Sequence, residues 1–219
     1  MAAMEAYKTL LKEGNAEFVI NKSRFIGYGC PCETEEEALE FIRQIQKMHR
    51  DATHNCYAYV IGKNSGIMRY SDDGEPGGTA GMPILDVIRR RGVVNCAVVV
   101  TRYFGGVLLG AGGLVRAYAQ GSKTALDASG VITMTFSDRY LVEVDYSTWQ
   151  RLDHFLKGAP VLVEQTSFET SVVTTLLLRS SDRDAVLEGI SRLSDGKAEC
   201  LYEESVYYPW PDVPEDSEE

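Results

Sequence analysis

No apolar run in the sequence approaches the roughly 20 residues that a membrane-spanning helix requires. The opening stretch MAAMEAYKTLLKEG mixes acids with bases around no apolar core, so it does not read as a secretory leader. There are only five cysteines and three histidines in 219 residues, with no CxxC pair and no HExxH. That shortage argues against a disulfide framework or a structural zinc site. Cys30-Pro31-Cys32 is the one close cysteine pair, and it reads as a turn in a reducing compartment rather than a metal clamp. GxSxG and GxxxxGK[ST] are also missing, so neither a hydrolase nucleophile elbow nor a P-loop is signalled. The expectation is a cytoplasmic protein with no membrane contact, no cofactor, no metal and no recognised catalytic residue.

What is present is a globular composition, 44% hydrophobic and 25% charged, long enough for one large or two small domains. The net charge of −10 is unevenly spread. Residues 1–136 carry 15 Lys+Arg against 14 Asp+Glu (net +1), and residues 137–219 carry 7 against 18 (net −11). The acidic load, including a tail at 209–219, belongs to the second half, which argues against non-specific wrapping of DNA.

Periodicity gives the elements. Glu17–Ile20 and Arg24–Tyr28 read as strands around an Asn21-Lys22 turn. Thr34 caps an amphipathic helix over 34–48, with Glu35, Glu36 and Glu37 in its first turn. Strands follow at Asn55–Ile61 and Ile67–Ser71, then a helix near 83–91. Val93–Thr101 is a β-branched run suited to a strand buried on both faces. Leu114–Ser129 is a small-residue helix stopped by Gly130. The second half reads strand Tyr140–Tyr146, helix Thr148–Leu156, strands Val161–Phe168 and Val172–Leu178, a helix Ser181–Leu193 capped by Ser181, and strand Ala198–Tyr207. This β-α-β-β-α-β order is the ferredoxin-like pattern. The expected class is α+β in two domains, 1–136 and 137–208.

Two loops carry candidate chemistry. Between the buried run and the small-residue helix lie Gly105, Gly106, Gly110, Gly112 and Gly113. Uncapped amides at a helix start, with Arg102 and Arg116 nearby, would suit an anion or a nucleic-acid phosphate. The alternative is that the glycines only allow tight packing and the arginines pair with acids. The second loop holds Asp72, Asp73, Glu75 and Thr79. Together with His54 these form a possible secondary site, as a cation nest or as partners for Arg102 and Arg116. His49 and His54 lack metal spacing, and His154 reads as inert on a surface helix. His54 alone reads as a satisfied polar residue at a strand edge. Cys56 and Cys96 have no base paired with them in sequence.

The segments His49–Tyr59, Ser71–Leu85 and Thr101–Tyr118, in that order, resemble the YigZ/IMPACT family (UPF0029) in its bacterial two-domain form. The resemblance implies a first domain like domain 2 of ribosomal protein S5. It also implies a second, ferredoxin-like domain similar to a C-terminal domain of elongation factor G. By the same resemblance, family members in eukaryotes regulate translation with an added domain that this chain lacks. The function expected is a translation-related regulator that binds RNA or the ribosome through the glycine-rich basic loop, with Tyr103 or Phe104 stacking a base. A small-anion or phosphometabolite site, with or without an enzymatic reaction, is the alternative. A third reading is a scaffold for a protein partner of the translation machinery. The oligomeric state is not legible.

Overall fold

The computed structural model describes residues 6–210. The chain divides into two compact units, Tyr7–Thr133 and the part from Met134 onward.

In the first unit a strand β1 (Tyr7–Leu10) leads into a five-stranded sheet. The sheet contains β2 (Gly14–Ile20), β3 (Ser23–Pro31), β4 (His54–Ile61), β5 (Ile67–Ser71) and β6 (Cys96–Tyr103). Their spatial order is β2-β3-β6-β4-β5, and every neighbouring pair is antiparallel. The β2–β3 hairpin turns at Asn21 and Lys22, both with positive φ (46° and 66°), as the two-residue turn signal predicts. Three helices cover the sheet: α1 (Glu35–Met48), α2 (Gly81–Arg90) and α3 (Gly110–Ser129). Thr34 accepts from the Glu37 amide at the start of α1, and Glu37 in turn accepts from the Glu33 amide.

β6 lies at the centre because its residues are apolar on both sides. Cys96, Val98 and Val100 join the core under α2 and α3, whereas Ala97 and Val99 join the core under α1. Full burial of each such valine contributes about 1.5–3 kcal/mol, which makes this strand the anchor of the unit. α3 lies close to the sheet where a side chain is missing. A Cβ on Gly27 would sit 2.3 Å from the Gly121 carbonyl oxygen. Cys30 and Pro31 finish β3 rather than forming a turn, and Cys30, Cys32, Cys56 and Cys96 are all buried free thiols. Burial pushes the Cys96 thiol up to about 12, so it is held as an inert thiol.

The second unit has the predicted order. β7 (Val131–Val144) enters it from the first, followed by α4 (Tyr146–Gly158), β8 (Val161–Phe168), β9 (Val172–Arg179), α5 (Arg183–Leu193) and β10 (Glu199–Pro209). Antiparallel pairs give the order β10-β7-β9-β8, with β1 also bonded to β7 as the fifth strand of the sheet, so the first strand of the unit is central, as in a ferredoxin-like domain. Its core pairs Leu152 and Leu156 of α4 with Val186 and Ile190 of α5 over Val142, Val172, Leu176 and Leu178. Asp145 caps α4, its carboxylate accepting from the Thr148 amide. The cap expected at Ser181 is not there. α5 begins at Arg183 after Asp182, whose side chain makes no capping bond. Most of the acidic tail expected over 209–219 lies outside the described residues, and Pro209 belongs to β10.

Candidate functional site

The glycine-rich segment folds differently from the expectation. α3 begins at Gly110, so Gly112 and Gly113 lie in its first turn, and the irregular loop is only 104–109. Gly105 is fixed by packing, because a Cβ there would sit 2.0 Å from the Lys22 carbonyl carbon. Gly106 and Gly110 carry positive φ (82° and 69°) and turn the chain into the helix. Leu109 occupies the N-cap and offers no side-chain acceptor, which leaves the first amides of α3 uncapped.

Beneath that helix start lies a cleft of about 410 Å³. Phe104, Leu108, Leu109, Leu114 and Pro76 form apolar walls, and His54, Glu75 and Arg102 supply the polar groups. Phe104 is half-exposed and Leu108 is 84% exposed, so the mouth of the cleft is apolar as well.

The polar groups are placed by register. His54 on β4 stands opposite Arg102 on β6. The loop after β5 then brings Glu75 back over both. Arg102 is 5% exposed and Glu75 is 7% exposed. Arg102 Nη1 donates to Glu75 Oε1 at 2.6 Å, and the Tyr118 hydroxyl donates to the same oxygen at 2.7 Å. The Arg102 guanidinium lies between the rings of Phe25 (5.5 Å) and Phe104 (5.4 Å), where its planar cation meets two π faces. Its Nε is buried with no hydrogen-bond partner among the described residues, and the only acid it meets is Glu75. Burial raises the Tyr118 hydroxyl well above its usual range, so it stays a donor.

His54 has one ring nitrogen committed. Its Nδ1 lies 2.7 Å from the Asp73 carbonyl oxygen, which can only accept, so that nitrogen carries the proton. In the neutral ring Nε2 is then a bare acceptor, 3.8 Å from Glu75 Oε1.

The remaining loop acids serve the fold. Asp72 accepts from the amides of Gly78, Ala80 and Gly81, which satisfies the start of α2. Asp73 accepts from the Asn55 amide, and Thr79 donates to the Pro76 carbonyl. Among the described residues no three His, Cys, Asp or Glu side chains are grouped so as to hold a metal ion. Of the expected secondary site, His54 and Glu75 line the cleft, whereas Asp72, Asp73 and Thr79 hold the loop around it.

Arg102 thus pairs with Glu75, and not with Asp72 or Asp73. Arg116 does not join it: with the helix starting at Gly110, Arg116 falls in the second turn on the exposed side. Tyr118 and Leu108 were not singled out as site-forming by the sequence, whereas Phe104, expected as a base-stacking ring, lines the cleft. For Tyr118 the available signal was its position four residues beyond Leu114, on the same buried helix face.

On the opposite face of the sheet stands a second polar cluster that the sequence reading missed. His49, the C-cap of α1, meets the Tyr28 hydroxyl at Nε2 (2.6 Å) and the Tyr103 hydroxyl at Nδ1 (2.9 Å). The Tyr103 hydroxyl donates to Asp51 at 3.3 Å. Tyr103 is therefore a fixed part of this network.

Residues 21–126 match the model of the Impact N-terminal domain, and residues 142–197 match a domain of unknown function, DUF1949. The chain is 38% identical over 204 residues to IMPACT family member YvyE of Bacillus subtilis, covering 93% of this chain and 94% of that protein. It is 39% identical over 148 residues to IMPACT family member YigZ of Escherichia coli, covering 67% and 69%. Protein IMPACT of Danio rerio is 47% identical over 62 residues, 27% of this chain and 19% of that one. A solved structure titled as a hypothetical protein superposes with a TM-score of 0.58 at 30% identity, covering 92% of this chain and 98% of the other. With two domain models in register and a relative aligned over nearly its whole length, the chain belongs to the IMPACT family.

Proposed function

We propose that the first domain is a ligand-binding module whose cleft takes a small anion carried on an apolar body. The observation that carries this reading is Arg102. It is a buried guanidinium lining an apolar cleft, with Nε unpartnered and a single protein acceptor, beside the uncapped start of α3. A desolvated cation and free amides stabilise a carboxylate or phosphate far more than the same groups in water. The apolar walls favour a hydrocarbon portion over a run of nucleic-acid backbone.

The test is a thermal-shift titration of the full chain with 4-methylpentanoate and hexyl phosphate. A saturable rise in melting temperature is expected. The double variant Glu75→Gln/Arg102→Met removes both charges without stranding either one, and it should fold yet lose the shift. An undiminished shift in that variant overturns the assignment.

One observation favours a second reading, association with RNA or the ribosome. α2 and α3 expose Arg90, Arg116 and Lys123, and none of these has an ion-pair partner among the described residues. Arg90 and Lys123 flank one shallow groove together with Arg91, which Asp127 neutralises. Three such cations would lower affinity with rising salt by a slope near 2–3. Co-sedimentation with ribosomes should then be lost in Arg90→Glu/Arg116→Glu/Lys123→Glu, and equal pelleting of both proteins removes this reading.

A further inference from the structure

The polar floor of the cleft has an imbalance that narrows the ligand. With the His54 ring neutral, its bare Nε2 faces Glu75 Oε1 across 3.8 Å, and two acceptors then stand opposite each other with no proton between them. Hydrogen bonds of about 2.8 Å to both atoms from one group carrying two or more hydrogens would close that gap. Arg102, bonded to the same Glu75 oxygen, has a buried Nε that lacks an acceptor. A missing donor and a missing acceptor therefore stand side by side on one carboxylate.

Resting on the reading of the cleft as an anion site, the geometry points to a 2-amino or 2-hydroxy carboxylate with an apolar side chain as its ligand. The carboxylate is met by Arg102 and the α3 amides, and the donor on the adjacent carbon is met by His54 Nε2 and Glu75. The side chain lies along Phe104, Leu108, Leu109 and Leu114. An ammonium, with three hydrogens, satisfies both acceptors at once, and a hydroxyl, with one, satisfies one of them. The ammonium also complements the Glu75 charge, and the hydroxyl leaves the net charge to the carboxylate.

Isothermal titration of the full chain at pH 7.5 with L-leucine, L-2-hydroxy-4-methylpentanoate and 4-methylpentanoate separates these possibilities. The three share one hydrocarbon skeleton and differ only at the second carbon. Leucine or the hydroxy acid is expected to bind at least about tenfold tighter than 4-methylpentanoate, the worth of a hydrogen bond to a charged group. His54→Ala, with the histidine side chain only 19% exposed but outside the core clusters, should fold and bring the three within about twofold of one another. If 4-methylpentanoate binds as tightly as both others, the donor inference falls and the anion cleft stands. If none of the three carboxylates binds, both fall. A preference that survives His54→Ala overturns the role given to that residue.

Discussion

Arg102 and Tyr103 are neighbours on β6, yet they serve two unlike histidine clusters on opposite faces of one sheet. Tyr103 points to the α1 side, where a chain runs from the Tyr28 hydroxyl through His49 and Tyr103 to Asp51. Every hydrogen along it has an acceptor, so the cluster is complete as it stands. Arg102 points to the α3 side, where its Nε lacks a hydrogen-bond partner and His54 Nε2 stands 3.8 Å from Glu75 Oε1 beside an apolar cleft. Buried polar groups are costly unless bonded, so a closed network reads as structure and an open one as a place where something binds.

The strongest way to break that contrast is to remove Arg102. Arg102→Ala would leave the Glu75 carboxylate buried with only the Tyr118 hydroxyl bonded to it, and such an orphaned charge costs about 3–5 kcal/mol. Denaturant unfolding should show this loss, with most of it recovered in Glu75→Gln/Arg102→Met. A single variant less than about 1 kcal/mol below wild type would mean that Glu75 finds solvent through the cleft.

Gly105→Ala comes next. The added Cβ would run into the Lys22 and Ser23 backbone, which cannot yield as a side-chain tip can. Overpacking of this kind costs about 1–3 kcal/mol. Because the strain falls on the β2–β3 turn, the cleft should bind its ligand unchanged in the folded fraction. Altered affinity at unchanged stability would return Gly105 to the binding surface.

The parts legible in sequence were those set by local pattern. The Asn21-Lys22 turn, the Thr34 cap, the doubly buried β6 and the strand-helix order of the second domain each follow from residues a few positions apart. The start of α3 was hidden because Gly110, Gly112 and Gly113 read as loop, whereas the fold uses them as an uncapped first turn. That displacement carried Arg116 away from Arg102. The partner of Arg102 was open among three loop acids, since a separation of 27 residues is closed by strand register and not by spacing. Asp72 was better suited than Glu75 to the short reach of the α2 amides, so the longer acid was left for the guanidinium. The His49 cluster joins residues 21 and 54 positions apart, and no periodicity announces it.

The smallest effect belongs to that closed cluster, and pH exposes it. Burial, reinforced by Arg24 and opposed by Asp51, holds the His49 pKa below its ordinary value. The unfolded chain therefore binds a proton that the folded chain resists, and stability must fall as pH drops through the unfolded value near 6.5 toward the folded one. Above that window the contribution is fully present. Protonation would also turn Nε2 from an acceptor for the Tyr28 hydroxyl into a donor, which the hydroxyl meets by rotating its own proton away. The network is thus weakened and not broken. Unfolding followed between pH 7.5 and 5 should show a shallow loss of stability that His49→Gln reduces and His54→Ala leaves in place. If the pH dependence instead disappears with His54→Ala, the cleft histidine governs it, and the division between a closed face and an open one would have to be redrawn.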